Sequence, residues 1–419
     1  MPFNTTRSAY HGSRPASARG GRRPSGSNNR FGGNSGGFRR SGGKSRKPQK
    51  QYIDPARFVR AAKPREEVSY TPKHSFEDFA VDELIKNNLT MRGFVTPSPI
   101  QDQTIPVSLT GRDIVGIADT GTGKTAAFAI PLLHRLINDP ASKALIVAPT
   151  RELAQQIEDE CRWIGKRSGL FGALLIGGTP MGPQLRDLRA NPSIVIGTPG
   201  RIKDHLERGS LQLADFNMVV LDEVDRMLDM GFIDDMRFIL DSLHDERQSL
   251  FFSATMDRKV ETMTKTFLND PVTVSIKTGD TSENVEQDVV RYGSGVEKIE
   301  KLHDLLVNGD IAKVLIFDET QRSVEKLSDE LLDRGFKADA IHGGKTQGQR
   351  QRALTRFKKN DINILVATDV AARGIDIPDV THVINYTTPQ AYEDYVHRIG
   401  RAGRAGRMGF ALTFVNRYE

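Results

Sequence analysis

Long apolar runs and cysteine are scarce in this sequence of 419 residues. No stretch approaches the ~18 consecutive apolar residues that a membrane-spanning helix needs, and residues 1–30 lack the apolar core of a signal peptide. The single cysteine, Cys161, excludes an internal disulfide and a cysteine-based metal site. We therefore expect a soluble, cytoplasmic protein without cysteine chemistry.

Acidic residues are absent from residues 1–50, which contain nine Arg and three Lys. This segment carries +12, and because the whole chain carries +6, residues 51–419 sum to about −6. The segment is rich in glycine and serine and has almost nothing apolar to bury, which predicts a disordered tail. Phe31 and Phe38 lie among the arginines, and this suits loose, salt-sensitive contact with nucleic acid. The alternative is a solvated tail that only keeps the protein soluble.

Short apolar runs alternate with helical stretches in two successive parts of the chain, residues 73–276 and 284–419. Each run lacks polar alternation, as expected for strands buried on both faces of a parallel sheet. The runs are residues 113–117, 144–148, 193–197, 218–221 and 250–253, then 314–317, 338–341, 362–367 and 380–385. We predict an α/β protein with two parallel-sheet domains in tandem, joined by a polar linker (277–283) and preceded by the tail and an extension (51–72). Ligands should bind at the carboxyl ends of the strands.

A glycine-rich loop follows the first run and precedes the helical stretch 126–137. Its residues are Ala118, Asp119, Thr120, Gly121, Thr122, Gly123, Lys124 and Thr125. The backbone amides of such a loop can wrap phosphate oxygens, Lys124 adds a mobile charge, and Thr125 offers a hydroxyl to Mg²⁺. The usual pattern opens with glycine where this chain has Ala118, but the strand-loop-helix context is as required. The loop predicts a phosphate site.

Carboxylates follow the apolar run 218–221 directly, in the sequence Asp222-Glu223-Val224-Asp225. Charges just past a buried strand are costly without a cation or another partner. Asp222 is the candidate Mg²⁺ ligand, and Glu223 is the candidate base that orients the attacking water. A solvated acidic loop is the alternative when these residues are taken alone.

The phosphate loop and the acidic motif would fit any ATPase with such a loop, but residues 93–101 (GFVTPSPIQ) indicate a narrower class. They resemble the adenine-reading segment of the DEAD-box RNA helicase family. Phe76 lies at the family's distance before this segment. The resemblance implies that Gln101 reads the adenine edge and that Phe76 stacks on the base. A side-chain amide offers a donor and an acceptor, and an aromatic ring offers a face, so both roles suit the chemistry.

Four further motifs of the first domain match the family in order: residues 149–153 (PTREL), 177–178 (GG), 198–201 (TPGR) and 253–255 (SAT). The resemblance implies backbone contacts to RNA, without base reading, from Arg151, Gly177, Gly178, Thr198, Pro199, Gly200 and Arg201. It also implies that Ser253 and Thr255 couple the nucleotide site to RNA engagement.

The second domain continues the resemblance through residues 347–350, 366–376 and 397–404. The resemblance implies RNA contacts from Gln347, Arg350 and Thr368, a ribose contact from Asp376, and a coupling role for His397. It assigns Arg401 and Arg404 as arginine fingers. Because residues three apart share one face of a helix, helical spacing supports that pair.

The resemblance covers about residues 73–417 and implies two RecA-like domains that use ATP and Mg²⁺ to clamp single-stranded RNA and separate strands locally. Three departures from the family pattern stand out: Val224, Ser98 and Ala402. Val224 removes no catalytic atom, so we expect activity to survive. Ala402 lacks the hydroxyl of the threonine that the family usually has at this position. The weakened hydrogen bond near the nucleotide or RNA would cost on the order of 1 kcal/mol. Two other functions stay open: a DNA-directed helicase, which would lack the adenine-reading segment, and an RNA scaffold without turnover.

Overall fold

The computed structural model of the protein describes residues 52–62, 70–119, 121–276, 284–309, 311–372, 377, 379–403 and 407–418. All of these residues belong to one compact unit. The predicted tail (1–50), the predicted linker (277–283) and the predicted site residues Thr120, Asp376 and Arg404 lie outside the described residues.

The first domain is built on a parallel sheet with the strand order β3-β4-β2-β5-β6-β1-β7. Its strands are β1 (Ile114–Ile117), β2 (Ala144–Val147), β3 (Gly172–Leu175), β4 (Ile194–Gly197), β5 (Met218–Leu221), β6 (Gln248–Ser253) and β7 (Val272–Ser275). Its helices are α1 (Glu83–Met91), α2 (Pro99–Leu109), α3 (Lys124–Asn138), α4 (Arg151–Ile164), α5 (Met181–Arg189), α6 (Pro199–Glu207), α7 (Val224–Asp229), α8 (Ile233–Asp241) and α9 (Arg258–Phe267).

The central strands form from apolar runs because both of their faces are covered. All residues of β2, β4, β5 and β6 are buried. Ile117 at the end of β1 pairs with Ser253 of β6, and Val147 at the end of β2 pairs with Leu221 of β5. The carboxyl ends of β1, β2, β5 and β6 therefore lie along one edge of the sheet. The predicted motifs that follow these strands begin at the same edge.

The second domain is built on another parallel sheet, with the strand order β10-β11-β9-β12-β13-β8. Its strands are β8 (Val285–Tyr292), β9 (Val314–Phe317), β10 (Ala338–Ile341), β11 (Ile364–Ala367), β12 (His382–Asn385) and β13 (Gly409–Asn416). Its helices are α10 (Gly295–Asn308), α11 (Gln321–Asp333), α12 (Gln347–Lys358), α13 (Asp369–Ala372) and α14 (Tyr392–Ile399). The prediction of two parallel-sheet α/β domains in tandem is confirmed.

Four strands, β3, β7, β8 and β13, were not predicted, and three of them lie at sheet edges. Burial alternates along β7 and along the first half of β8, so neither reads as a continuous apolar run. β13 lies between β12 and β8, but it also begins with an alternation of buried and exposed side chains. Among the described helices, none is both long and apolar enough to cross a membrane.

Candidate nucleotide and RNA site

The predicted phosphate loop connects β1 to α3, as the sequence requires. Gly121 and Gly123 have positive φ angles of 86° and 92°. A Cβ at Gly123 would meet the side chain of Gln101, so glycine is needed there for space as well as for conformation. Lys124 begins α3, is buried, and donates from Nζ to the carbonyl of Ala118 at 2.8 Å. Its amine thus lies over the loop where phosphate oxygens would bind.

Gln101 and Ser98 hold the phosphate loop against helix α2. Gln101 accepts from the Ser98 amide at 2.9 Å and donates to the Gly123 carbonyl at 3.0 Å. Ser98 donates its hydroxyl to the Thr122 carbonyl at 2.7 Å, so serine performs this contact where the family more often has threonine. Inside the loop, Thr122 donates to the carbonyl of Asp119. Gln101 thus contacts the loop itself, and its reading of adenine stays a prediction.

Asp222 and Glu223 follow β5 and are both 3% exposed. Burial raises the pKa of Asp222 to about 6, although the nearby Lys124 amine opposes the rise. Glu223 has a left-handed backbone with φ of 53°. Its Oε2 atom is buried, lies 3.5 Å from Arg226 Nε and accepts no hydrogen bond from the described residues. Burial therefore opposes the ionisation of Asp222, and the Glu223 Oε2 atom can accept a further hydrogen bond, such as one from a water.

The donor set near Asp222 suits Mg²⁺ better than a metal that needs a full protein cage. The described residues hold no group of three or more His, Cys, Asp or Glu side chains arranged for a metal. Mg²⁺ keeps several water ligands and binds through one or two protein oxygens together with substrate phosphates. The Asp222 carboxylate and the Thr125 hydroxyl, which line the same cavity, could supply such oxygens.

A cavity of about 640 Å³ brings residues of both domains together. Its lining includes Gln101, Gly121, Gly123, Lys124, Thr125, Asp222 and Glu223 from the first domain, and Lys358 and Arg401 from the second. A larger cleft of about 1130 Å³ contains none of the predicted site residues. Asp113, Lys143 and Asn217 in its lining precede β1, β2 and β5, so it lies at the amino ends of these strands, away from the predicted site.

The aromatic lining of the smaller cavity is Phe94 and Trp163, whose rings stack with centroids 6.0 Å apart. Phe76 is 4% exposed and packs edge-on against Phe94 and Phe79. It lies behind the ring that faces the cavity, and stacking of Phe76 on a base stays a prediction. Sequence patterns offered no signal for Trp163, because its contribution depends on the packing of α4 against residue 94.

Asp225 connects the acidic motif to the segment after β6. It accepts from the amides of Ala254 and Thr255 at 3.1 and 3.0 Å and from the Thr255 hydroxyl at 3.2 Å, while its own amide donates to Ser253 Oγ at 3.4 Å. Ser253 and Thr255 therefore contact the acidic motif directly. The prediction gave Asp225 no role, although its fixed place two residues after Glu223 could have suggested one.

The predicted RNA-contacting residues of the first domain cluster at one edge of the sheet. Arg151 begins α4, and its guanidinium lies so close to Gly177 and Gly178 that a Cβ at Gly178 would collide with it. Thr198 caps α6, whose first turn contains Pro199, Gly200 and Arg201. Arg201 Nη1 is buried without a hydrogen-bond partner in the described residues. The cluster contains the cationic side chains of Arg151 and Arg201, which suit phosphate binding.

Gln347 and Arg350 of the second domain both contact Glu152 of the first domain. Arg350 Nη2 lies 2.7 Å from Glu152 Oε2, and Gln347 Nε2 donates to Glu152 Oε1 at 3.2 Å. Glu152 belongs to α4 of the first domain and its side chain is 1% exposed. The pair therefore joins the two domains, and its contact with RNA stays a prediction. Glu152 itself was missed, since a sequence does not indicate which buried acid pairs with a distant arginine.

The prediction that Arg401 lies on a helix is wrong. Helix α14 ends at Ile399, and Arg401 lies in the turn that follows, 4% exposed. Gly400 is the C-cap residue of α14, and the chain turns away from the helix there, before Arg401. Upstream in α14, Arg398 forms an ion pair with Asp369, with Nη2 and Oδ2 2.7 Å apart, and donates to the Thr387 carbonyl. His397 lies beside Arg398 on α14, and Thr368 directly precedes α13.

Comparison with known proteins gives matches over both domains. The DEAD/DEAH box helicase family matches residues 98–263, and the helicase conserved C-terminal domain matches residues 297–406. The chain is 43% identical over 347 residues to the DEAD-box ATP-dependent RNA helicase CshA of Bacillus subtilis (strain 168), covering 82% of this chain and 70% of CshA.

Two solved structures that contain RNA are also similar to this chain. S. cerevisiae Dbp5 bound to RNA and ADP–BeF3 is 30% identical with a TM-score of 0.73, covering 82% of this chain and 89% of that chain. Mss116p bound to single-stranded RNA and AMP-PNP is 33% identical with a TM-score of 0.73, covering 85% and 77%.

The two tandem parallel-sheet domains and these matches together define the class of this protein, which is a helicase that uses ATP. More narrowly, the chain belongs to the DEAD-box family, and it is an ATP-dependent RNA helicase.

Proposed function

We propose that the chain hydrolyses ATP in the 640 Å³ cavity and uses the cycle to separate short RNA duplexes locally or to remodel RNA–protein complexes. The observation that carries this proposal is the lining of that cavity, where Lys124 and Glu223 of the first domain meet Arg401 of the second. A nucleotide bound there would contact both domains and so stabilise their association. Products of hydrolysis would bridge them less well, and the RNA would be released.

Within the cavity, Lys124 and the loop amides would bind the phosphates, while Gln101 and Phe76 would bind the adenine. Glu223 would orient the attacking water, and its buried Oε2, which accepts no hydrogen bond from the part of the chain that the structure describes, supports that role. Arg401 would neutralise charge that develops on the transferred phosphoryl group. Arg404 and the ribose contact of Asp376 remain part of the proposal by resemblance.

Magnesium would be held by the Asp222 carboxylate, directly or through water, and by the Thr125 hydroxyl. Bound by these two residues, the ion would supply positive charge against the charge that develops on the phosphates. The burial of Asp222 at the end of β5, in the same cavity as Thr125, supports this assignment, because a buried carboxylate is stabilised by a nearby cation.

RNA would be gripped through its backbone and without sequence preference. Arg151, Gly177, Gly178 and residues 198–201 would contact phosphates on the first domain, and Thr368 would do so on the second. The support is the cluster of arginine side chains at the sheet edge, where Arg201 Nη1 is buried without a hydrogen-bond partner among the described residues. Asp225 would transmit RNA engagement to Glu223, since it holds Ser253 and Thr255. We place the activity in the cytoplasm, by kinship with the bacterial CshA.

The test is steady-state ATP hydrolysis with single-stranded RNA, with DNA of the same sequence, and without nucleic acid. We expect stimulation by RNA, dependence on Mg²⁺, and a loss of kcat of at least about 100-fold in Glu223→Gln, because general base catalysis contributes about 10²–10⁴-fold. Glu223→Gln should still bind ATP and RNA, since the amide keeps the shape of the carboxylate.

The outcomes separate the alternatives. Equal stimulation by DNA would favour a DNA-directed helicase. RNA binding by the unmodified chain without any turnover would favour a scaffold. Normal turnover in Glu223→Gln would remove Glu223 from the mechanism.

A further inference from the structure

A segment that precedes the first domain in the sequence packs on the second domain. Residues Pro55–Phe58 form a short 3-10 helix whose first turn is capped by Asp54. Phe58 is 1% exposed, and its ring lies against Tyr395 of α14 with centroids 4.7 Å apart. The Arg57 guanidinium lies over the Tyr392 ring, 3.7 Å from its centroid. Aromatic and cation–π contacts of this kind stabilise a docked segment.

Backbone pairing fixes the register of this segment on the sheet. Arg60 and Gln287 of β8 exchange two backbone hydrogen bonds of 2.9 and 2.8 Å in antiparallel fashion. The Gln287 side chain in turn accepts from the Tyr395 hydroxyl at 3.0 Å. The Ala62 amide donates to Glu286 at 3.2 Å. The segment thus adds a short bridge to the free edge of the second sheet, next to α14.

The docked segment supports the helix that leads to Arg401. Phe58 belongs to the same buried cluster as Tyr395, Ile399 and Ala402. Ile399 ends α14, and Ala402 directly follows Arg401, so the arginine lies between two residues of this cluster. The Arg401 amide donates to the Arg398 carbonyl at 3.1 Å, and the Ala402 amide donates to the Ile399 carbonyl at 3.0 Å. The backbone at Arg401 is therefore held on the end of α14, and its position depends on how α14 packs.

The same extension is anchored on the first domain beside Gln101. The Tyr70 hydroxyl donates to Asp102, the residue after Gln101, and Asp102 also accepts from the amides of Lys73 and His74 at 2.9 and 3.1 Å. Ala62 and Tyr70 are eight residues apart in the sequence. A chain of that length spans at most about 26–29 Å, so the two anchors cannot separate further while both stay docked.

We propose that Phe58 is a positioning residue for ATP hydrolysis, which acts by docking residues 53–62 on α14 and so holds Arg401 in the nucleotide cavity. This inference rests on the proposed role of Arg401. Phe58 touches neither nucleotide nor RNA. Its effect should therefore fall on the catalytic step and not on ATP binding to the first domain.

The test compares the ATPase kinetics of Phe58→Ala, Arg401→Ala and the double variant in the full chain, at saturating RNA. We expect Phe58→Ala to lower kcat about tenfold with KM for ATP changed less than about twofold, because small displacements of a catalytic group cost rate more than affinity. In the Arg401→Ala background, Phe58→Ala should have no further effect on kcat. Phe58→Leu, which keeps apolar bulk, should restore most of the rate.

Two further variants separate docking from folding. Val59→Ala changes a 53% exposed neighbour on the same segment and should leave kcat unchanged. Arg60→Pro removes the amide that donates to Gln287 without making a core cavity, and it should lower kcat as Phe58→Ala does. If Phe58→Ala proves poorly folded, Arg60→Pro still tests the proposal.

The inference is overturned if Phe58→Ala and Arg60→Pro both keep the wild-type kcat, or if Phe58→Ala lowers kcat equally with and without Arg401. An unchanged kcat in Arg401→Ala would instead refute the proposed role of Arg401. That outcome is distinct, because it does not depend on any change at Phe58.

Discussion

Glu223, Val224 and Asp225 have different partners although they are consecutive. Glu223 adopts φ of 53°, which costs a non-glycine residue about 1–3 kcal/mol and turns its carboxylate into the nucleotide cavity. Asp225 instead accepts hydrogen bonds from the segment after β6. The place of the acidic motif at the end of a buried strand was predictable from the sequence. The left-handed turn was not, because no local pattern indicates it for glutamate.

Val224 is fully buried beneath this turn, in the cluster that contains Val219, Leu221 and Phe251. Val224→Ala would give the more usual family sequence, but it would remove two methyl groups from a packed core. We expect a destabilisation of about 1–3 kcal/mol, visible as a lower thermal unfolding midpoint, with kcat changed less than about twofold.

The control is Val296→Ala, since Val296 is 73% exposed and should leave the midpoint unchanged. A faster or slower ATPase in Val224→Ala with no change in the unfolding midpoint would show that Val224 acts on the turn geometry and not on packing.

Secondary-structure elements were predictable where burial is uniform and less so where it changes along the chain. Each predicted apolar run overlaps a strand, and eight of these nine strands are central, with both faces covered. The ninth, β10, lies at a sheet edge, but three of its four residues are buried, so it still gives a run. The edge strand β7 keeps polar side chains on exposed positions and gives no run. Helix α14 ends at Ile399 through its glycine-rich continuation, so a spacing rule applied beyond that point placed Arg401 on a helix that does not exist there.

Helix α2 offers a pH-dependent test of the N-terminal extension. Burial opposes ionisation of Asp102, but hydrogen bonds from Tyr70, the Lys73 amide and His74 hold the pKa of this carboxyl below its ordinary value. A depressed pKa in the folded state contributes stability above the unfolded value, near pH 4, and this contribution is lost as pH falls through the folded pKa.

We therefore expect Asp102→Asn to lower the free energy of unfolding by about 1–3 kcal/mol at pH 6, since it weakens hydrogen bonds to a charged acceptor. The difference from the unmodified protein should shrink as pH falls toward 3. Chemical denaturation across this pH range measures it. Asp245→Asn, at an exposed position, should give no such pH-dependent difference. A constant difference at every pH would mean that Asp102 contributes by its shape alone.

At the scale of the whole molecule, the association of the two domains was the part least accessible from sequence. Motif order predicted that both domains supply residues to one nucleotide, and Arg401 does line the same cavity as Lys124. The contact of Glu152 with Gln347 and Arg350 joins residues almost two hundred positions apart and depends on the relative placement of two sheets. No periodicity or spacing within either domain encodes that placement.

The Glu152–Arg350 pair should stabilise the associated state of the domains. Arg350→Ala would leave the Glu152 carboxylate buried without its cation, and breaking such a pair costs about 3–5 kcal/mol where the burial persists. Separation of the domains relieves part of that cost. We therefore expect at least about tenfold lower RNA-stimulated kcat, and a smaller fraction of associated domains in the presence of ATP and RNA.

Energy transfer between one introduced surface cysteine on each domain measures that fraction. Cys161 should not interfere, since it is buried and burial raises the pKa of its thiol. Adding Glu152→Gln to Arg350→Ala removes the uncompensated charge and should restore part of the association, because an amide is far cheaper to bury than a carboxylate. If Arg350 instead serves only as an RNA contact, as its motif first suggested, Arg350→Ala would weaken RNA binding alone. The second substitution would then recover nothing.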